Sequence, residues 1–452
     1  MKSRVRIGTA LVSCLICCIS IKALIFSNDF GVSLNTCNPH KSYKQSGSVL
    51  TFIKSIQLMQ VEKPDSYSYG LAEKIAEEYP EDTENSATPN VIIMMDEAFS
   101  DLQSVGDFKT NKDVIPFYHS MKDNCIKGNM YVSSFGGKTA NTEFEVLTGD
   151  SIGFFPPSAT PYQIFVKHEL PNLTTDLKKQ GYRNTIGMHP FKSTSYNRKM
   201  VYELFGFDTR LYIDDFNGAD TIRGFVSDHA DVKRIIQEYE TAKEKSDAPF
   251  FIHNVTMQNH SPYKNDPAKL GDVIKPEKGY DYNDVEVYLT LIHKSDQALE
   301  ELVTYFENLD DPTVILFFGD HQPGLNEEFY TKLLGKPIDK MSDEELMQKY
   351  YTPYVIWANF DIEEKEMDIS SNFLVPLMKQ ATGMKLTGYN QFLLRLQNEL
   401  PIVTLNGYWD NNGKFYKLDD ETSPYYDLIY QYSVLQYNHM FDSHNRLENF
   451  FN

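Results

Sequence analysis

The chain has 452 residues, enough to bury at least one large core with a smaller unit appended. It carries 63 Asp and Glu against 43 Lys and Arg, a formal net charge of −20. That balance excludes a general nucleic-acid binder, which needs a basic face, but not a local positive site made of a metal ion and a few Arg or His.

Taken in order, Lys2, Arg4 and Arg6 precede an uncharged run over 7–21; Lys22 interrupts, and 23–26 resumes it. Basic residues ahead of an apolar segment predict a membrane anchor over 1–26, with the N-terminus in the cytoplasm and the rest outside. Lys22 would snorkel to the interface. A cleaved signal peptide is the rival reading, though no small-x-small site follows Phe26. Leu11-Val12-Ser13-Cys14 loosely resembles a lipid-attachment box, but the apolar run before it is too short. Cys37 and Cys125 lie outside this segment and are open to either pairing or remaining thiols.

Residues 27–88 read as a stalk, polar over 28–47, helical over 49–61 and 71–79, then an acidic linker over 80–89. A domain over 89–375 opens with Asn90-Val91-Ile92-Ile93-Met94-Met95, a continuous apolar run of strand length. Such runs suit a strand covered on both faces, as in a parallel sheet. It ends in Asp96-Glu97, at the edge where open α/β sheets put their ligands.

Helix- and strand-like segments then alternate: helix over 114–124, strand over 130–133, helix over 173–180, strand over 185–188, helices over 196–205 and 228–245, strand over 250–255. The strongest helical pattern is 285–308 and the clearest strand 313–318, followed by Gly319-Asp320-His321-Gln322-Pro323; 353–357 is another strand. The alternation predicts an α/β fold with a mostly parallel sheet sandwiched by helices. Residues 376–452 read as a smaller C-terminal α+β portion: helices over 374–381 and 391–399, a hairpin at Asp410-Asn411-Asn412-Gly413-Lys414, and a Tyr-rich helical tail over 425–451.

Between the strand at 130–133 and the next helix lies Ser134-Phe135-Gly136-Gly137-Lys138-Thr139. Two glycines allow a sharp turn, and Thr139 arrives at or near a helix N-terminus, where free N–H groups favour an anion. A nucleotide-binding loop needs glycine where Val132 stands and is excluded. On this stretch alone Thr139 could be a helix cap, with Thr142 or Glu143 completing the first turn. As a nucleophile its hydroxyl would need a base or a metal.

Strand ends also deliver Glu97, His189, His260 and the pair Asp320-His321. A Glu, an Asp, a His and a threonine oxygen form an O/N shell without sulfur, suited to Mn²⁺ or Mg²⁺, with Zn²⁺ open. Arg198, with His189 and His260, could hold an anionic group. Each residue has a plainer reading by itself: Glu97 a strand-end carboxylate, His260 a loop histidine bonded to backbone, Arg198 a partner of Glu203 or Asp208. Their coincidence on separate strand ends favours the site.

The stretches 90–101 and 136–145, His189-Pro190, Tyr196-Asn197-Arg198 leading to Phe205-Gly206-Phe207-Asp208, Thr256-Met257-Gln258-Asn259-His260 and 318–323 occur in the order seen in one family. Across about 90–360 the chain resembles the lipoteichoic acid synthase and phosphoglycerol transferase family of the alkaline phosphatase/sulfatase superfamily. The resemblance implies Thr139 as nucleophile, one Mn²⁺-like ion on Glu97, Thr139, Asp320 and His321, and substrate contacts from His260, Arg198, His189 and Tyr196. It implies transfer of glycerol phosphate from phosphatidylglycerol to an envelope polymer or glycan, outside the cell membrane. Two features depart from the family: a single N-terminal apolar segment where several are usual, and Tyr196 where well-known synthases have Trp. Polymer synthesis, single transfer and hydrolysis stay open. A sulfatase using a modified Cys or Ser is excluded, because Ala140-Asn141-Thr142-Glu143 does not supply the x-Pro-x-Arg that must follow. An inactive scaffold would be expected to have lost some of these residues.

Overall fold

A computed structural model describes residues 8, 12–20, 39–156 and 158–452. They form two compact units: the chain up to Lys63 with Phe154–Thr160, and Pro64–Gly153 with Pro161–Asn452. In the first, residues 12–20 are helical. The remainder of the anchor expected over 1–26, Gly8 apart, lies outside the described residues. Among the described residues no helix is long and apolar enough to cross a membrane. A helix over Pro39–Gln57 is interrupted at Gly47, with φ 76° and ψ 163°. It begins well before the expected 49, because Pro39 suits a first helical turn and Gly47 breaks the apolar period.

The second unit is built on a nine-stranded mixed sheet. Its strands are β1 (Asn90–Asp96), β2 (Cys125–Tyr131), β3 (Ile186–Met188), β4 (Thr209–Leu211), β7 (Phe251–Val255), β8 (Thr313–Gly319), β9 (Tyr351–Ala358), β10 (Lys365–Glu366) and β11 (Ile369–Ser370). β5 (Thr221–Ile222) and β6 (Phe225–Val226) form a separate hairpin. The order is β10-β2-β9-β8-β1-β7-β3-β4, with β11 also on β2. β1 sits at the centre, parallel to β7 and β8 and buried at all seven positions. Only β9 runs against its neighbours. It starts at the edge where β8 ends, so it returns antiparallel without a crossover helix.

One sheet face, with Ile92, Met94, Ile252 and Phe317, packs on the helices Asp228–Lys245 and Asn283–Glu307 through Val232, Ile235, Leu291 and Leu299. Burial of such apolar side chains contributes about 1.5–3 kcal/mol each. On the opposite face His253 of β7 meets Glu143 of the helix Thr139–Thr148. A small antiparallel sheet, β12 (Ile402–Thr404), β13 (Gly407–Trp409) and β14 (Phe415–Tyr416), follows the helix Gly388–Glu399.

Several predicted boundaries shift. β2 starts at Cys125 rather than 130, and the expected 114–124 helix shortens to Pro116–Ser120. Seven-residue pairing with β9 holds 125–131 extended against its weak local signal. The expected 196–205 helix is a 3₁₀ turn over Ser195–Asn197, with Tyr196 and Asn197 at φ 52° and 61°, then a helix over Arg198–Leu204.

The C-terminal helix Tyr426–Phe441 clamps the far end of the helix that carries Thr139. Tyr432 Oη donates to Gly149 O at 2.6 Å, and Gln436 Nε2 to Ser151 O at 2.9 Å. Gly149 ends that helix at φ 75°, and a side chain there would also collide with Leu393.

Candidate active site

Because β1, β2, β3, β7 and β8 run the same way, their C-terminal ends deliver the candidate residues to one edge. After β2 the chain turns through Gly136 and Gly137 at φ 65° and 151°, with Lys138 at φ 68°. Gly136 N donates to Gln322 O at 3.0 Å, tying the turn to the loop after β8. Lys138 is the N-cap residue and Thr139 the first helical residue, so Thr139 is not the cap.

The Thr139 hydroxyl donates to Glu97 Oε2 at 3.2 Å. Glu97 N donates to Thr256 Oγ1 at 3.0 Å, and Ala98 N to Asp320 Oδ1 at 2.7 Å. Thr142, one helical step on, donates its hydroxyl to Asp320 O at 2.7 Å. One ligand-type atom each from Glu97, Asp320 and His321 lies within 4.8 Å of the others, all three residues being buried. His321 Nδ1 lies 3.0 Å from Gln322 O. Donation to that carbonyl puts a proton on Nδ1 and turns Nε2 toward Asp320 Oδ2, 3.1 Å away, and Glu97 Oε1, 3.8 Å away, where its lone pair can serve a cation that displaces its proton.

Burial raises the Asp320 carboxyl to about 6. Burial works against a charged His321, but the Asp320 and Glu97 carboxylates raise its imidazole. Among the described residues, buried Asp320 Oδ2 and His321 Nε2 stand 3.1 Å apart, and neither has a hydrogen-bond partner of proper geometry. Such orphaned atoms are costly unless something satisfies them. Two carboxylates, an imidazole lone pair and a hydroxyl fit a hard divalent cation.

A second cluster hangs from the same helix. Glu143 follows Thr139 by four residues, hence on the same helical face. Its Oε2 accepts from Arg198 Nε at 2.9 Å and Nη2 at 2.8 Å, and its Oε1 from Tyr202 Oη at 2.6 Å. Burial opposes the Glu143 charge, yet the Arg198 guanidinium brings its pKa down to about 2. Arg198 Nη1 lies 3.1 Å from His189 Nε2, and His189 Nδ1 2.9 Å from Val255 O. Burial and Arg198 push the His189 imidazole down to about 3, so at neutral pH it is uncharged and accepts from Arg198. The Tyr196 ring lies 5.3 Å from the Arg198 guanidinium carbon.

His260 stands exposed at the rim. Its Nδ1 lies 2.6 Å from Ser261 O, so the backbone bond of the plainer reading is present.

Thus Glu97, Thr139, Asp320 and His321 lie together, while Arg198 pairs with Glu143 and is met by His189 and Tyr196. His189 and His260 stand outside the cation-capable set. Glu143, rather than Glu203 or Asp208, is the partner of Arg198. Its four-residue spacing from Thr139 was the available signal.

A mixed sheet with this donor set on its strand ends, and a threonine opening a helix beside it, defines an enzyme of the alkaline phosphatase and sulfatase type. Residues 89–384 match the family model described as Sulfatase, and the chain belongs to that family. Its similarity runs to the lipoteichoic acid synthases and phosphoglycerol transferases of the superfamily. A Rhizobium meliloti protein assigned to cyclic beta-1,2-glucan modification is 30% identical over 83% of this chain and 58% of its own length. The lipoteichoic acid synthase-like YvgJ of Bacillus subtilis is 25% identical over 70% of this chain and 48% of its own. The chain therefore spans about half the length of these relatives. In fold it is similar to the Streptococcus pyogenes phosphoglycerol transferase GacH, solved with sn-glycerol-1-phosphate. That structure has a TM-score of 0.70 and 24% identity, over 87% of this chain and 99% of GacH. Lipoteichoic acid synthase LtaP of Listeria monocytogenes aligns with a TM-score of 0.62 and 18% identity, over 84% of this chain and all of LtaP. The family and donor set support an enzyme of phosphotransferase or hydrolase type.

Proposed function

We propose that the protein is a membrane-anchored, metal-dependent phosphoglycerol transferase whose catalytic unit faces outside the cell. It moves glycerol phosphate from phosphatidylglycerol to a hydroxyl of an envelope polymer or glycan. The observation that carries this reading is the Thr139 hydroxyl, held at a helix start against the buried Glu97, Asp320 and His321.

Glu97, Asp320, His321 and Thr139 Oγ1 would hold one divalent ion, Mn²⁺ or Mg²⁺. When bound, it supplies a Lewis acid that lowers the hydroxyl pKa and polarises a phosphoryl oxygen. Thr139 Oγ1 forms the new bond to phosphorus as the bond to the diacylglycerol oxygen breaks. The hydroxyl loses its proton and diacylglycerol takes one up, so this half-reaction is proton-neutral overall. Glycerol phosphate is then carried on Thr139 as a phosphodiester. Arg198, fixed by Glu143 and by neutral His189, presents positive charge to the phosphoryl oxygens. Tyr196 and His260 contact the glycerol side. The acceptor hydroxyl displaces Thr139 in the second half-reaction.

Incubation of the Mn²⁺-loaded protein with fluorescent phosphatidylglycerol tests this. Wild type is expected to release diacylglycerol, and Thr139→Ala to lose at least about 10³-fold in rate, as when an activated nucleophile is removed. Equal release by both would contradict the assignment.

A further inference from the structure

The hairpin β5–β6 lies beside the site and has no role in the chemistry above. Its two-residue turn is Arg223-Gly224, at φ 57° and 86°. Both central residues of this turn need positive φ, which Asn, Asp or Gly adopts at low cost and Arg does not. An arginine held in the left-handed region implies that its side chain is required there.

That side chain reaches the loop carrying His260. Arg223 Nη1 donates to Pro262 O at 3.3 Å and Nη2 to Gln258 O at 3.4 Å; Nη2 also donates to the carbonyl of His260 itself. The guanidinium carbon lies 5.6 Å from the Phe225 ring and 5.4 Å from that of buried Tyr263. Phe225, two residues on, packs its ring 5.7 Å from the His260 imidazole. The hairpin therefore touches His260 twice, on backbone and on ring.

From below, the loop is fixed by side chains turned inward. Gln258 Nε2 donates to Asp228 Oδ2 and Asn259 Nδ2 to Asp96 Oδ1, each at 2.8 Å. These bonds hold 258 and 259; the exposed His260 has its loop's own backbone bonds, N to Met257 O at 3.1 Å and Nδ1 to Ser261 O at 2.6 Å, and the hairpin's contacts besides. Asp228 begins the helix that the hairpin leads into, with Ser227 as its cap, so strut and loop share one foundation.

We infer that Arg223 is a positioning residue, acting through His260, whose planar fork on the carbonyls of 258, 260 and 262 sets the imidazole for glycerol phosphate. The inference rests on the proposed substrate contact of His260. Lysine cannot substitute, because one ammonium cannot span three carbonyls in a fixed plane.

The test is a double-mutant cycle on the full chain loaded with Mn²⁺, reading the Kd of sn-glycerol-1-phosphate by calorimetry and kcat/KM for phosphatidylglycerol. Variants are Arg223→Asn, Arg223→Lys, His260→Ala and Arg223→Asn/His260→Ala, with thermal unfolding as the check on folding. Asn tolerates the turn, so Arg223→Asn is expected to fold and to lose about 10- to 100-fold in kcat/KM, the scale of a misplaced contact. Its Kd should weaken in parallel, and Arg223→Lys should resemble it; if the Asn variant fails to fold, Arg223→Lys takes its place in the cycle. In the His260→Ala background the Arg223 change is expected to add less than about twofold. Multiplicative losses, or an unchanged Kd in folded Arg223→Asn, would overturn the inference. A His260→Ala protein with wild-type Kd and turnover would instead defeat the contact assigned to His260, and the inference with it. Failure of the Thr139→Ala test defeats the reaction but leaves the Kd arm standing as a test of the hairpin.

Discussion

Glu143 is the residue that most changes how the site is understood. It ties Arg198, which opens a separate helix, to the helix that carries Thr139, so the Thr139 hydroxyl and the Arg198 charge are coupled through one buried ion pair. Glu143→Gln keeps the shape but leaves Arg198 buried without its counter-charge. Breaking such a pair costs about 3–5 kcal/mol, and urea denaturation at pH 7 should show a loss of that order. The folded pKa of about 2 lies below the ordinary value of 4.5. The charged form therefore contributes stability fully above pH 4.5, and the contribution fades as pH falls toward 2. Glu143→Gln should flatten the acid limb of stability against pH; an unchanged limb would contradict the assignment. Thr139, Glu97, Asp320 and His321 were legible because each ends or follows a strong apolar run or a glycine turn. Glu143 was not, because an acid in the first turns of a helix usually serves the dipole, and its partner Arg198 lies 55 residues away.

Among elements, the long strands and helices announced themselves. β1 and β8 are buried at every position and read as unbroken apolar runs. β4, β5, β6, β10 and β11 have two or three residues each, too few to carry a period. β4, β10 and β11 take their conformation from partners distant in sequence, while β5 and β6 pair with each other across Arg223-Gly224, a turn without the Asn-Gly or Asp-Gly signal of a hairpin. The junction of β8 with the loop after β1 depends on one glycine. A Cβ on Gly319 would stand 1.8 Å from Phe99 O. Gly319→Ala must push the 97–100 segment from Asp320, breaking the bond from Ala98 N and separating the two carboxylates. Calorimetric titration should show at least about tenfold weaker Mn²⁺ binding, with a lowered Tm. Wild-type affinity would mean that the two loops are not registered through this contact.

For the whole molecule, the acidic surface and the cation-capable centre have separate consequences. The net charge of −20 gives general repulsion from other anions. On the proposed reading, capture of an anionic substrate therefore falls to Arg198 and to a cation held by Glu97, Asp320 and His321. Binding a cation to the native state alone raises stability by about 2.7 kcal/mol at one hundred times Kd. Mn²⁺ should thus raise Tm in wild type, a chelator should reverse the shift, and Glu97→Gln/Asp320→Asn should abolish it. A shift of equal size in that variant would place the ion elsewhere.

Peptide mass mapping of Mn²⁺-loaded protein, quenched during turnover of phosphatidylglycerol, reads the proposed covalent intermediate on Thr139 itself. A glycerophosphoryl group on the peptide containing Thr139, absent from Thr139→Ala, is the predicted result. Diacylglycerol release with no adduct on that peptide, or the adduct on another residue, would contradict it.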